Sequence, residues 1–295
     1  MHDKTWLRFT VISLFPELIH NYLSEALIAK ALRKNLIQVK TVDLRQFASG
    51  SYKSVDEAPY GGGDGMLITA DSLKQALQSI QASFKHVVYL SPQGQVLSHD
   101  FAKNKFVEWS EVLQSSTQSD FVNLENLLEK NESLNREIVL ICGRYAGVDQ
   151  RFIAQYVDEE ISIGDFVLSG GELAALVLLE SVSRFVPGVL GDAVSAQVDS
   201  FSEGWLEAPQ FTRPAHWEGL AVPSVLISGD HQKIQKWKRF CSYLVTLKKR
   251  PDIFLKKWPQ SGVSFLELRR FYDSLLESER VVLQIEDLNL KGIDL

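Results

Sequence analysis

The sequence predicts an α/β fold with a parallel sheet, followed by a smaller and mostly helical domain. Apolar runs of strand length alternate with helical periods from residue 7 to residue 185, as in sheets with helices on both faces. Beyond residue 210 the periodicity is mainly helical. The 295 residues, 45% of them hydrophobic, are enough to bury two cores.

Each element of the first domain has a local signal. An apolar run at 7–15 predicts a buried strand, and the helical pattern that follows it begins at Pro16 and continues to residue 36. The other predicted strands lie at 37–44, 86–90, 137–142 and 160–167. The other predicted helices of this domain lie at 71–82, 148–157 and 171–185.

Composition marks the domain boundaries. A polar, acidic segment at about 101–136 interrupts the alternation and predicts a surface insertion. The sequence therefore predicts a first domain at 1–190, a linker rich in Gly, Ser, Asp and Pro at 191–209, and a second domain at 210–295. Helices are expected there at 232–247 and 265–276. The extension after residue 277 is expected either to add an edge strand or to stay loosely attached.

Charge is distributed unevenly along the chain. The net charge of −6 argues against a nucleic-acid partner when it is taken alone. Residues 231–258, however, hold nine Lys and Arg against the single acid Asp252, with aromatic residues between them. This stretch is either a solvated helix face or a surface that contacts phosphates, and both interpretations stay open.

Targeting and cysteine signals are weak. No apolar segment approaches the roughly 20 residues that cross a bilayer, and the N-terminal residues lack the apolar region of a signal peptide. We therefore expect a cytoplasmic protein without a membrane partner.

Cys142 and Cys241 are far apart and outside any C-x-x-C pattern, so we expect neither a disulfide framework nor a metal site.

Four glycine-containing loops follow predicted strands, at the sheet edge where α/β proteins bind ligands. Neither a dinucleotide fingerprint nor a phosphate loop is present, and no loop contains lysine, which disfavours an NTP phosphate cradle. Any one loop alone is more simply a tight turn. Together they favour a site in which backbone groups approach a planar ligand closely. The loops are YGGGDGM at 60–66, YLSPQGQ at 89–95, CGRYAGVDQR at 142–151 and IGDFVLSGGELAAL at 163–176.

These motifs, with SLFP at 13–16, SVSRFVPGVLG at 181–191 and DSF at 199–201, occur in the order found in one known family. From about residue 9 to about residue 276, the chain resembles the bacterial tRNA (guanine-N1)-methyltransferases of the SPOUT superfamily. The resemblance implies a parallel-sheet domain with a deep C-terminal trefoil knot, a small helical domain and a homodimer whose active sites are shared between the chains. It implies that the knot holds S-adenosylmethionine. The cofactor-binding residues implied are Leu90, Ser91, Pro92, Gly94, Gly143, Tyr145, Gly147, Ile163, Leu168, Gly170 and Gly171.

The resemblance also implies tRNA as the substrate and N1 of the guanine 3′ of the anticodon, position 37, as the methylated atom. Asp199 matches the family's general base and Arg184 matches the guanidinium that stabilises charge on the guanine O6. Each residue also has a structural interpretation. Asp199 lies beside a possible capping box at 200–203, and Arg184 lies four residues after Glu180 on a predicted helix.

The chain departs from the family pattern at two positions. Ala146 stands where a glutamate associated with the target guanine and with magnesium is usual, which weakens the expectation of magnesium and motivates the alternative of a non-catalytic RNA-binding relative. Val245 stands where arginine is common, so one phosphate contact is expected to be missing. The implied RNA-binding residues are Arg213, Lys248, Lys249 and Arg250.

Overall fold

A parallel sheet of five strands forms the centre of the first of two units in the computed structural model, which describes residues 5–48, 54–82, 84–110, 136–190 and 199–290. The units are Met1–Ala193 and Val194–Leu295. Across the sheet the strands lie in the order 37–43, 7–13, 136–142, 84–96 and 159–162, and all four pairings are parallel, which confirms the predicted parallel sheet. The strands are β1 (Leu7–Ser13), β2 (Ile37–Asp43), the short antiparallel pair β3 (Asp56–Glu57) and β4 (Leu67–Ile68), then β5 (Phe84–Val96), β6 (Arg136–Cys142) and β7 (Glu159–Ser162).

Helices connect these strands, as the alternation predicts. The single helical pattern expected at 16–36 is two helices, because Ala26 has a φ of 57°, which a continuous α-helix does not contain. The helices of this unit are α1 (Pro16–Leu23), α2 (Ala26–Arg33), α3 (Ala70–Ser79), α4 (His99–Trp109), α5 (Gln150–Tyr156) and α6 (Glu172–Ser183).

Two apolar clusters cover the two faces of the sheet. Phe9 and Val11 of β1 belong to one cluster, whereas Ile12 belongs to the other, as the alternation of side chains along a strand requires. Helix α6 is apolar on most of its surface and buries Leu178 and Leu179 in the first cluster. The sheet is therefore buried on both faces, and its edge is left for a ligand.

The bounds predicted for the acidic insertion, about 101–136, are wrong at both ends. Residues 101–109 belong to α4, and β6 begins at Arg136. Helix α4 buries Ala102, Phe106 and Trp109 in the first cluster. These positions recur at helical spacing, but the polar residues between them obscure the pattern in the sequence. Residues 111–135 lie outside the described residues.

Strand β5 is longer than its predicted core at 86–90, and its pairing with β7 is irregular. The register shifts between Leu90 and Gln95, both of which pair with Ile161, so residues 91–94 leave the ladder. Strand β7 ends at Ser162, earlier than expected. There the Ser162 hydroxyl accepts a hydrogen bond from the Gly164 amide at 3.1 Å, and Gly164 has a φ of 140°.

The second unit contains four α-helices and a short β-hairpin among its described residues. Its core includes Trp237, Leu244, Phe254 and Leu268. Its elements are the hairpin β8 (His216–Trp217) and β9 (Leu220–Ala221), and the helices α7 (His231–Lys249), α8 (Pro251–Lys257), α9 (Phe265–Ser274) and α10 (Glu277–Val282).

Both flanks of this unit pack against its core. In the predicted linker, the Leu206 amide donates to Thr246 Oγ1 at 3.0 Å, and the Trp205 ring packs edge-on against Tyr243 with centroids 4.7 Å apart. The predicted extension forms neither an edge strand nor a loose tail up to residue 290. It contains α10 and buries Leu283 and Ile285 in the core. Residues 191–198 and 291–295 lie outside the described residues. None of the described helices is long and apolar enough to cross a membrane.

Candidate active site

A cavity of about 440 Å³ lies where β5, β6 and β7 end or break register. Its volume falls within the range of small-molecule sites, roughly 300–1,000 Å³. Three segments form most of its lining: residues 89–93, residues 143–150 without Asp149, and residues 160–171 without Asp165. Ile153 and Ala174 complete it. Three of the four glycine-containing loops therefore converge on one space.

Most of the predicted cofactor-binding residues line this cavity. The ones that do so are Leu90, Ser91, Pro92, Gly143, Tyr145, Gly147, Ile163, Leu168, Gly170 and Gly171. Gly94 does not line it. A Cβ on Gly94 would lie 2.3 Å from the Glu160 carbonyl carbon, so this glycine lets β5 pass directly against the β7 backbone.

The glycine pair at 170–171 brings the loop after β7 onto the end of β6. The Gly171 amide donates to the Gly143 carbonyl at 2.9 Å, and a Cβ on Gly171 would lie 2.8 Å from Cys142 Cα. A Cβ on Gly170 would lie 2.2 Å from Arg144 Nε. Any side chain at these positions would therefore displace backbone or a fixed guanidinium from the cavity wall.

Tyr89 is a lining residue that sequence reasoning missed. A Cβ on Gly143 would lie 2.8 Å from the Tyr89 hydroxyl oxygen, so the ring occupies space that this glycine leaves open. Burial, and then the negative charge of Glu160, raises the pKa of Tyr89, so its hydroxyl is a neutral donor at physiological pH. Tyr89 is the first residue of the YLSPQG motif, and this position in the sequence could have identified it as a lining residue.

The turn at 144–147 connects the cavity to the first glycine loop. Tyr145 has a φ of 59° and Gly147 a φ of 121°, and the Gly147 amide donates to the Arg144 carbonyl at 3.0 Å. The Ala146 amide donates to the Met66 carbonyl at 2.9 Å. The YGGGDGM loop therefore supports this turn from outside and contributes none of the described lining residues.

A buried ion pair behind the cavity was also missed. Arg144 Nε and Nη2 each lie 3.0 Å from Glu172 Oε2, and Glu172 is 1% exposed. The Ser13 hydroxyl donates to Glu172 Oε1 at 2.7 Å, and the Arg144 guanidinium lies 4.4 Å from the centre of the Phe15 ring. Three sequence motifs, SLFP, CGRY and SGGEL, therefore meet here. Arg144 is the one cation among the described lining residues, and its charge is already balanced.

The two predicted catalytic residues belong to different units. Arg184 directly follows α6, is half-buried, and donates its amide to the Glu180 carbonyl at 3.1 Å. Asp199 belongs to the second unit, where its carbonyl accepts from the Ser202 amide at 3.1 Å. Residues 199–205 form turns and bends. Because no helix begins there, the helix-capping interpretation of Asp199 is wrong.

The described residues around the cavity do not fit a magnesium site. Ala146 is exposed and offers no ligand atom, and Glu160 is the one carboxylate among the described lining residues. Elsewhere, His86, Glu108 and Glu159 bring possible ligand atoms together. Lys105 Nζ, however, lies 2.9 Å from Glu108 and 2.6 Å from Glu159, so an ammonium group already bridges these carboxylates.

The implied RNA-binding cations differ in their surroundings. Lys248 Nζ donates to Asp287 at 2.6 Å, and Arg250 makes two hydrogen bonds to Asp252, at 2.9 and 2.7 Å. Within the described ranges, Lys249 and Arg213 make no ion pair. Val245 is buried in the core of the second unit, so no side chain from this position reaches a phosphate.

Comparison with known proteins agrees with this geometry. A family model described as "tRNA (Guanine-1)-methyltransferase TrmD" matches residues 7–114 and 108–256. A tRNA (guanine-N(1)-)-methyltransferase of Caldicellulosiruptor saccharolyticus is 43% identical over 246 residues, 83% of this chain and 89% of the relative. One of Albidiferax ferrireducens is 41% identical over 253 residues, which are 84% of this chain and 91% of the relative. One of Chlamydia abortus is 37% identical over 286 residues, which are 96% of this chain and 73% of the relative. The chain therefore belongs to the tRNA (guanine-1)-methyltransferase family.

Proposed function

We propose that this protein transfers a methyl group from S-adenosylmethionine to N1 of the guanine 3′ of the anticodon, position 37 of tRNA. The observation that carries the proposal is the convergence of three glycine-containing loops on one cavity. Family membership supports the reaction and the substrate.

The cavity fits S-adenosylmethionine in size and in chemistry. Its wall combines apolar side chains such as Ile163 and Leu168 with the exposed backbone of Gly143 and Gly170. Such a wall suits a ligand with a planar ring and a largely apolar body. When bound, S-adenosylmethionine supplies a methyl group on a positively charged sulfur. The trefoil knot is part of the proposal, and family membership supports it.

Asp199 is the proposed general base. N1 of neutral guanine carries a proton and is a weak nucleophile, so a carboxylate must take that proton as the N1–CH₃ bond forms and the S–CH₃ bond breaks. Removal of such a base typically lowers the rate by about 10²- to 10⁴-fold. The guanidinium of Arg184 is proposed to stabilise the negative charge that moves onto the guanine O6.

The proposal includes a homodimer in which each active site takes residues from both protomers. Exposed apolar side chains on two touching helices support it: Leu18 and Tyr22 of α1 are 47% and 43% exposed, and Leu173 and Val177 of α6 are 58% and 43% exposed. Adjacent exposed apolar side chains of this kind mark interaction surfaces, and a two-fold axis would pair the patch with itself. Because tRNA is the proposed substrate, the cytoplasm is the proposed location.

The test is methyl transfer to unmodified tRNA from radiolabelled S-adenosylmethionine, with and without magnesium. We expect label at N1 of the target guanine, none on a tRNA with adenine there, and loss of transfer in Asp199→Ala. Asp273→Ala, an exposed aspartate of the same unit, is the matched control. Activity that persists without magnesium would agree with the lack of a carboxylate at Ala146. Binding of cofactor and tRNA without transfer would instead identify a non-catalytic RNA-binding relative.

A further inference from the structure

We propose that the second unit holds one unstacked nucleotide of the tRNA in a cavity of its own, with the base against apolar side chains and the phosphate on Arg213 and Lys238. This inference rests on tRNA being the substrate. The cavity has a volume of about 610 Å³, within the range of small-molecule sites. It is lined by Pro209, Gln210, Phe211, Thr212, Arg213, Ala215, Val222, Leu226, Ile227, Ile234 and Lys238.

Five apolar side chains contribute to the wall of this cavity. They are Phe211, Val222, Leu226, Ile227 and Ile234. Ile227 is 67% exposed, although it lies in a short 3₁₀ turn at residues 224–227 whose other apolar residues are partly buried. Exposed apolar surface inside a cavity indicates an unfilled contact, and the flat face of a base can cover it without sequence preference.

The charges at this cavity favour an anionic ligand. Arg213 and Lys238 are exposed, make no ion pair with any described residue, and have no acidic neighbour among the lining residues. Some other cations of the unit are neutralised: Lys233 pairs with Asp230 at 3.1 Å, and Arg250 pairs with Asp252. Two unpaired cations at one cavity are notable in a chain of net charge −6, and a phosphate is their natural counter-ion.

Polar groups complete the match to a nucleotide. Gln210 and Thr212 supply donors and acceptors beside the apolar wall, as the edge of a base requires. RNA-binding domains hold single-stranded nucleotides by stacking bases on aromatic side chains, by side-chain hydrogen bonds and by cations on the backbone. Phe211 is the aromatic residue of this cavity. An acidic peptide would use the cations but would not need the apolar side chains.

The first test observes the cavity directly by NMR of protein labelled at the isoleucine δ1 methyl groups. We expect an RNA hairpin with the anticodon stem and loop of a substrate tRNA to shift the Ile227 and Ile234 signals and to leave the Ile285 signal, from the buried core, in place. A parallel titration uses uridine and guanosine 5′-monophosphates. Shifts with the monophosphates but not with the hairpin would identify a free-nucleotide site and overturn the proposal.

The second test separates base contact from charge by measuring tRNA affinity at several salt concentrations. We expect Ile227→Ala to weaken binding about tenfold with an unchanged salt slope, and Lys238→Ala to lower that slope by about one. Arg270→Ala removes an exposed cation outside the cavity and is the matched control. An Ile227→Ala variant that binds tRNA like the unaltered protein would overturn the proposal. Methyl transfer is measured in parallel. The tRNA affinity tests the nucleotide cavity, and methyl transfer by the unaltered protein tests the proposed activity, so the two proposals can fail separately.

Discussion

Arg144 forms a two-point ion pair with Glu172, a carboxylate that is almost completely buried at the start of helix α6. The pair joins the turn after β6 to the loop after β7, the two segments that form much of the cavity wall. Ser13 donates a further hydrogen bond to Glu172. A buried charge must be paired and hydrogen-bonded, so this contact constrains both segments at once.

Glu172→Gln should destabilise the protein by roughly 3 kcal/mol, because it leaves the mostly buried Arg144 guanidinium without its counter-charge. Urea denaturation monitored by circular dichroism measures the effect. Asp149→Asn, which neutralises the partner of the exposed Arg151, is the matched control and should change little. Equal stability of the Glu172→Gln variant and the unaltered protein would mean that the pair contributes nothing to the fold.

Gly171→Ala should abolish tight binding of S-adenosylmethionine, because the new Cβ would lie 2.8 Å from Cys142 Cα and would push the loop from the end of β6. Isothermal titration calorimetry measures the affinity, and a thermal melt shows whether the fold is retained. Gly61→Ala is the control, since a Cβ there has no atom within 4 Å, although its φ of 87° carries about 1 kcal/mol of strain. Retained affinity in Gly171→Ala would refute the packing argument.

The Glu159 cluster predicts a pH-dependent contribution to stability. Burial alone would raise the pKa of Glu159, but hydrogen bonds from His86 and Lys105 outweigh it and lower this pKa. A carboxylate with a depressed pKa in the folded state stabilises the protein above its unfolded pKa of about 4.3, and this stability is lost as the pH falls through the folded value.

We therefore expect Glu159→Gln to lower the free energy of unfolding at pH 7 by about 1–3 kcal/mol, and the deficit to shrink below about pH 4.5. Urea titrations at pH 7, 5, 4 and 3.5 measure it. Ile138→Val, a buried change at the β6 position that pairs with His86 of β5, involves no titratable group and should cost about 1 kcal/mol at every pH. A Glu159→Gln deficit that does not vary with pH would contradict the assignment.

Asp287→Asn should strengthen tRNA binding several-fold. Asp287 binds Lys248, and the hydrogen bond from this lysine lowers the pKa of the Asp287 carboxyl, so this carboxyl is charged at neutral pH. Without it, Lys248 can meet an RNA phosphate, and the salt slope of binding should rise by about one. Filter binding at three salt concentrations measures both quantities. The control is Asp273→Asn, which removes a similarly exposed acid, and identical slopes in all three proteins would exclude a phosphate contact by Lys248.

Local patterns in the sequence determined the parallel sheet, the two longer helices of the second unit and the loops that supply most of the cavity wall. The strand at 7–13 is buried except at Arg8, and residues 137–142 are all buried, so their composition alone identifies them. The glycine loops at 143–147 and 163–171 were recognisable because close backbone approach requires glycine. By contrast, α4 was hidden because its three core residues are separated by charged ones.

Only the tertiary structure decided which distant residues meet. Glu172 lies 28 positions from Arg144 and 159 from Ser13, and Asp287 lies 39 positions from Lys248. The residues near each of these acids do not specify which distant side chain it meets. Secondary-structure preference acts over a few neighbouring residues, whereas ion pairs and cavity walls depend on how whole elements pack, and packing is a property of the folded chain.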